Sequence, residues 1–160
     1  GTGYAPRGAL LLAKMLYDGG DRNGAKAQYA WVIEHAKEEE LQAIARYRLA
    51  QVQLDEKQPD SALATLDAKH PEAFDGLFAD LRGDALVAAG RHAEARTAYE
   101  TALAKLDPKS TYRSYVQVKH DATTPAGESG AAPRAAKADA AAPAGVAAND
   151  ASKATAGAPK

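Results

Sequence analysis

The sequence predicts an all-α fold of antiparallel helix pairs stacked side by side, followed by a disordered tail. Three observations predict it. Apolar residues recur at helical spacing, as in Ile44, Tyr47, Leu49 and Val52, which do not alternate as a strand would. Three small residues, Ala25, Ala62 and Ala95, recur 37 and 33 residues apart, each five residues after the start of a short turn. From Ala122 onward the chain has no Leu, Ile, Phe, Tyr or Trp.

Helices are expected over 5–18, 22–37, 40–56, 60–68, 72–89, 92–106 and 111–119. The first carries Leu12, Ala13 and Leu16 and ends at Gly20, which can take the left-handed conformation that closes a helix. Asp21 then stands where an N-cap is favoured, and Ala25 and Tyr29 lie one turn apart in the second helix. The third repeats the first with Leu49, Ala50 and Leu54. Its turn, Lys57-Gln58-Pro59, lacks the glycine, but Pro59 fits a first helical turn, where no N–H is needed. Ala62 and Leu66 repeat Ala25 and Tyr29 in the fourth. His70-Pro71 breaks the chain before the fifth, which carries Gly83, Leu86 and Val87. The Gly90-Arg91 turn leads to Ala95 and Tyr99 in the sixth, and Asp107-Pro108 precedes the last.

This period is that of the tetratricopeptide repeat (TPR), a helix-turn-helix unit of about 34 residues. The small residues let paired helices approach, and the aromatic or leucine one turn later fills the space between them. Residues 1–121 form the predicted TPR-like domain of about three repeats. Tyr112, Tyr115, Val116 and Lys119 would cap its C-terminal end. No matching N-terminal cap is visible, so the domain is expected to begin earlier. Residues 122–160, alanine clusters interrupted by Pro125, Pro133, Pro143 and Pro159, are expected to be disordered.

Composition narrows the function. Twenty Lys and Arg balance 21 Asp and Glu, with none of the clustered basic excess of a nucleic-acid binder. Without cysteine there is no disulfide, thiolate zinc site or thiol nucleophile. His35, His70, His92 and His120 show no i, i+4 pair for a helical metal site, and the glycines form no phosphate-binding loop. Glu38-Glu39-Glu40 reads as a solvated helix start. Trp31 reads first as packed between helices and second as an interface anchor. No catalytic centre, metal or cofactor is expected, and an enzyme with an unrecognised site is the least favoured reading.

A TPR stack binds proteins along the face lined by the first helix of each pair. By helical phase that face takes Arg7, Leu10, Lys14 and Tyr17 from pair one, and Tyr47, Gln51 and Leu54 from pair two. Pair three adds Leu77, Asp80, Asp84 and Val87. The predicted groove is apolar with one basic and one acidic end, suited to an extended or helical peptide bearing both charges. Leu77 and Leu81 stand where a clamp for chain termini would need basic groups.

The segments Tyr4–Lys14, Ala27–Ile33, Ile44–Ala50, Asp80–Asp84 and Ala95–Tyr99 resemble the YfgM family over roughly residues 2–121. His35-Ala36 before an acidic run, together with Arg82-Gly83-Asp84, makes the likeness more particular than the repeat alone. The resemblance implies a bacterial inner-membrane protein with one N-terminal anchor, absent from these residues, and a periplasmic TPR domain. It implies as partners subunits of the Sec translocon, the periplasmic chaperone PpiD and newly exported proteins. The alternative is a general TPR adaptor organising another envelope or cytosolic complex. The alanine- and proline-rich tail has no counterpart in the family pattern.

Overall fold

The computed structural model describes residues 4–123. Seven α-helices lie among them: α1 (Tyr4–Asp18), α2 (Arg22–His35), α3 (Glu39–Asp55), α4 (Pro59–Leu66), α5 (Asp75–Ala88), α6 (His92–Lys105) and α7 (Thr111–Ala122). The expected start at residue 72 divides into a 3-10 turn, Glu72–Phe74, and α5 proper. Pro71 enters this turn in an extended conformation, and tightened first turns of this kind are common at helix starts. The expectation for the tail falls outside the described residues, apart from Ala122 and Thr123, which close α7.

The pairs are α1 with α2, α3 with α4, and α5 with α6, and α3 and α5 each pack on the second helix of the preceding pair. Ala25, Ala62 and Ala95 are each fully buried. So are Ala13 and Ala50, their counterparts on the first helices. Gly83 holds the third such place, and a Cβ there would stand 2.3 Å from the Tyr99 ring.

The same turn is built three times. The N–H of Asp21, Gln58 and Arg91 donates to the carbonyl five residues back, at 2.8, 2.9 and 2.8 Å. The residue before each takes a positive φ: 87° at Gly20, 75° at Gly90 and 62° at Lys57. Lys57 accepts a conformation that ordinarily favours glycine because the helices on both sides fix the turn. Ala25, Ala62 and Ala95 then donate to the carbonyls of Asp21, Gln58 and Arg91.

The core divides into two clusters. Ala9, Ala13, Ala25, Tyr29, Val32 and Ala36 pack with Leu41, Ala45 and Val52 of α3. The other face of α3, with Ala43 and Ala50, belongs to a second cluster that includes Leu63, Leu66, Phe78, Leu81, Leu86, Tyr99, Leu103 and Val116. Thus α3 is the hinge of the core, one face in each cluster. Val116, fully buried, seats α7 against the third pair as a closing helix.

Candidate functional site

The first helices line one open cleft of about 670 Å³. Its less polar lining is Tyr29, Val52, Leu54, Leu81 and Ala88. Of the residues expected to form a groove, Lys14, Tyr17, Gln51, Leu54 and Asp84 come together here. The remaining six do not line it. Arg7 and Val87 are exposed elsewhere, and Leu10 packs on the first core cluster. Leu77 is half-buried. Tyr47 tilts against Phe78, their ring centres 6.2 Å apart.

Asp80 lies beneath α7 and is only 1% exposed. Lys119 of α7 reaches both Asp80 oxygens at 3.0 Å and Asp84 at 2.8 Å. Tyr112 also donates to Asp80, and the Tyr99 hydroxyl donates to Asp84 at 2.7 Å. The acidic end expected of the groove is therefore bound to a lysine 35 residues further on from Asp84. Burial alone would lower the Lys119 pKa, but its bonds to Asp84 and Asp80 outweigh that and hold it above the ordinary lysine value. Burial, then the bonds to Asp84 and Asp80, push the hydroxyls of Tyr99 and Tyr112 far above the ordinary tyrosine range.

The rim carries charges that helical phase alone did not select: Asp18, Arg48, Asp55 and Lys57. Lys14 pairs with Asp18 one turn on, and Tyr17 donates to Asp55 across the α1–α3 junction. That bond, and to a lesser degree burial, raises the Tyr17 pKa. Arg48 donates to Gln51 at 3.0 Å and lies 6.0 Å from the centre of the Tyr47 ring. Asp18 and Asp55 close their helices at the cleft mouth, so position at a helix end was the available signal. Trp31, expected between helices, is 37% exposed and stacks on His35 with ring centres 4.6 Å apart. The Val32 side of α2 faces the core, which turns the neighbouring indole outward.

Three helix pairs closed by a seventh helix, with a cleft along the first helices, define a TPR-type helical scaffold. The family model for the tetratricopeptide repeat-like domain matches residues 1–124, and the chain belongs to that family. Among curated proteins, it is similar to the ancillary SecYEG translocon subunit of Escherichia coli (strain K12). The two are 35% identical over 116 residues, covering 72% of this chain and 56% of the relative. The protein of the same name from Neisseria gonorrhoeae (strain ATCC 700825 / FA 1090) is 32% identical over 117 residues, 73% of this chain and 56% of the relative. That from Haemophilus influenzae (strain ATCC 51907 / DSM 11121 / KW20 / Rd) is 34% identical over 101 residues, 63% of this chain and 50% of the relative. These are relatives of the YfgM type that the repeat segments resemble. The chain spans about half the length of the curated relatives it matches. No solved structure matches it. No helix among the described residues is long and apolar enough to cross a membrane.

Proposed function

We propose that this chain is the protein-binding part of an ancillary subunit of the Sec translocon, facing the periplasm at the bacterial inner membrane. There it holds translocon subunits, a periplasmic chaperone such as PpiD, or segments of newly exported proteins. The observation that carries the reading is the cleft itself. It has an apolar lining and a charged rim on which Lys14 pairs with Asp18, Asp84 pairs with Lys119 and Asp55 accepts from Tyr17. Such a surface binds by burying apolar groups of a peptide segment, at roughly 25 cal/mol per Å² removed from water, with rim charges setting register. Lys14, Tyr17, Gln51 and Leu54 are the proposed contacts, with Asp84 at the far end. The names of the three relatives support the translocon as the setting.

A photo-reactive amino acid at Gln51, in the cleft, and at Thr97, exposed on α6, tests this in intact cells. Translocon subunits or exported proteins should be captured from position 51 and not from position 97. Capture of cytosolic proteins alone, or identical patterns from the two positions, refutes the groove reading.

A further inference from the structure

The polar groups of the cleft divide into those that already have a partner in the chain and those that do not. Its three carboxylates are all engaged: Asp18 with Lys14, Asp55 with the Tyr17 hydroxyl, and Asp84 with Lys119 and the Tyr99 hydroxyl. Two of its cations pair with no carboxylate among the described residues. Arg48, exposed on α3, donates to the neutral Gln51 amide at 3.0 Å and lies beside the Tyr47 ring. Lys57, exposed in the turn after α3, is the other.

Tyr29 adds a third donor. It lines the cleft, and its hydroxyl has no hydrogen-bond partner among the described residues. The rest of the side chain packs in the first core cluster, so the residue is only 4% exposed. Burial raises its pKa, which keeps the proton available for donation, and of the charges beside it Arg48 acts most, ahead of Asp18 and Lys14. The repeat explains why this hydroxyl is left over. In the third pair the equivalent hydroxyl, that of Tyr99, donates to Asp84, the residue after Gly83. The residue after Ala13 in the first pair is Lys14, which has no acceptor to offer. The third pair thus carries an internal carboxylate at the place where the first pair has none.

We infer that the cleft takes a protein segment with an acidic side chain among apolar ones, its carboxylate accepting from the Tyr29 hydroxyl and from Arg48. This rests on the reading of the cleft as the binding groove and names the kind of segment it takes. An uncharged segment laid over Arg48 would strip it of water without supplying a counter-charge, and a basic one would add a like charge beside it. A carboxylate removes both costs and fills, in the first pair, the place that Asp84 fills in the third. The peptide of both charges expected from helical phase narrows to an acidic one, because Asp84 already has its cation in Lys119. The carboxylate belongs to a side chain, since Leu81 on the lining stands where a chain terminus would need further basic groups.

A phage-displayed library of random short peptides, fused so that no C-terminal carboxylate is free, is selected on the 160-residue chain. It is counter-selected on a Gln51→Trp chain, whose cleft is filled. Peptides that bind the first chain and not the second should be enriched in Asp or Glu beside apolar residues. A synthetic, C-terminally amidated copy of such a peptide should bind about tenfold more weakly once its acidic residue is replaced by the matching amide. Tyr29→Phe and Arg48→Gln should each remove most of that difference, and Arg48→Lys should keep part of it. Should Tyr29→Phe melt early, Arg48→Gln, at an exposed position, carries the comparison alone. Cleft-dependent peptides without acidic enrichment, or an acidic preference untouched by Arg48→Gln, overturn the inference and leave the groove standing. If no peptide tells the open cleft from the filled one, the groove reading fails and the inference with it.

Discussion

Gly83 shows how one side chain sets the spacing of a helix pair. Ala13 and Ala50 hold the equivalent places in α1 and α3, yet the third pair has no room for a methyl group. The reason lies in Tyr99, whose hydroxyl reaches Asp84, the residue next to Gly83, and so draws the ring across the α5 backbone. Gly83→Ala should therefore overpack the pair. The cost is about 1–3 kcal/mol, reduced by the roughly 1 kcal/mol that alanine gains over glycine inside a helix. In a Tyr99→Leu background, which copies the Ala50–Leu66 pairing of the second repeat, the same substitution should become stabilising by about 1 kcal/mol. Urea unfolding of the four chains checks this, and a Gly83→Ala effect of the same sign in both backgrounds rules out the steric account. The requirement for a small residue at position 83 was legible in the repeat alignment. The demand for glycine was not, because it depends on a hydrogen bond across two helices. Lys57 is the converse: spacing revealed its turn, while its residue type gave no hint of a positive φ.

Among the elements, α7 is where sequence and structure differ most in meaning. Its role as a closing helix was read from Tyr112, Tyr115, Val116 and Lys119, of which Tyr115 is 57% exposed and the other three face the third pair. What it closes over was not legible. Asp80 and Asp84 stand one turn apart on α5 and read as groove residues by phase, and nothing local ties them to a lysine two helices further on. In the structure Lys119 pairs with both, within a site where Asp80 is almost wholly buried. Removing the lysine would leave the buried Asp80 carboxylate without its counter-charge. Lys119→Met should cost about 3–5 kcal/mol, the range for breaking one side of a buried ion pair. Asp80→Asn in the same chain should recover part of that loss, since it removes one stranded charge. Hydrogen exchange over residues 111–122 should show α7 opening first in the single variant. Unchanged protection there would mean that Val116, not the ion cluster, holds the helix. Apart from the start of α5, which the 3-10 turn sets three residues late, the helix boundaries elsewhere were readable to within one or two residues because caps and turns are local. The cleft was readable only in part, because its rim is set by how α1, α3 and α5 sit beside one another.

At the scale of the whole molecule, the two core clusters share a dependence on proton uptake. Burial raises the pKa of Tyr29 in the first cluster and of Tyr47, Tyr99 and Tyr112 in or against the second. Lys119 is raised as well, its bonds to two carboxylates outweighing burial. Each group holds its proton more tightly when folded than when unfolded, where the reference values are 10.0 for tyrosine and 10.5 for lysine. Below those values both states are protonated and the folded state keeps its full advantage. As pH rises past about 10, the unfolded chain releases protons that the folded chain retains, so stability falls with pH. Because the groups span both clusters, the loss should be cooperative: melting temperature level from pH 7 to about 9.5, then falling steeply. Tyrosinate absorbance from the buried rings should appear together with loss of helical circular dichroism. The double variant Tyr99→Phe, Tyr112→Phe removes two of the linked protons and should give a shallower alkaline decline, although its stability at pH 7 is lower for want of the bonds to Asp84 and Asp80. If all the tyrosines ionised smoothly near pH 10 with helix content intact, the buried rings would be reachable by solvent without unfolding. The tight packing of Tyr29 against Ala13 and of Tyr99 against Gly83, on which the stack depends, would then be wrong.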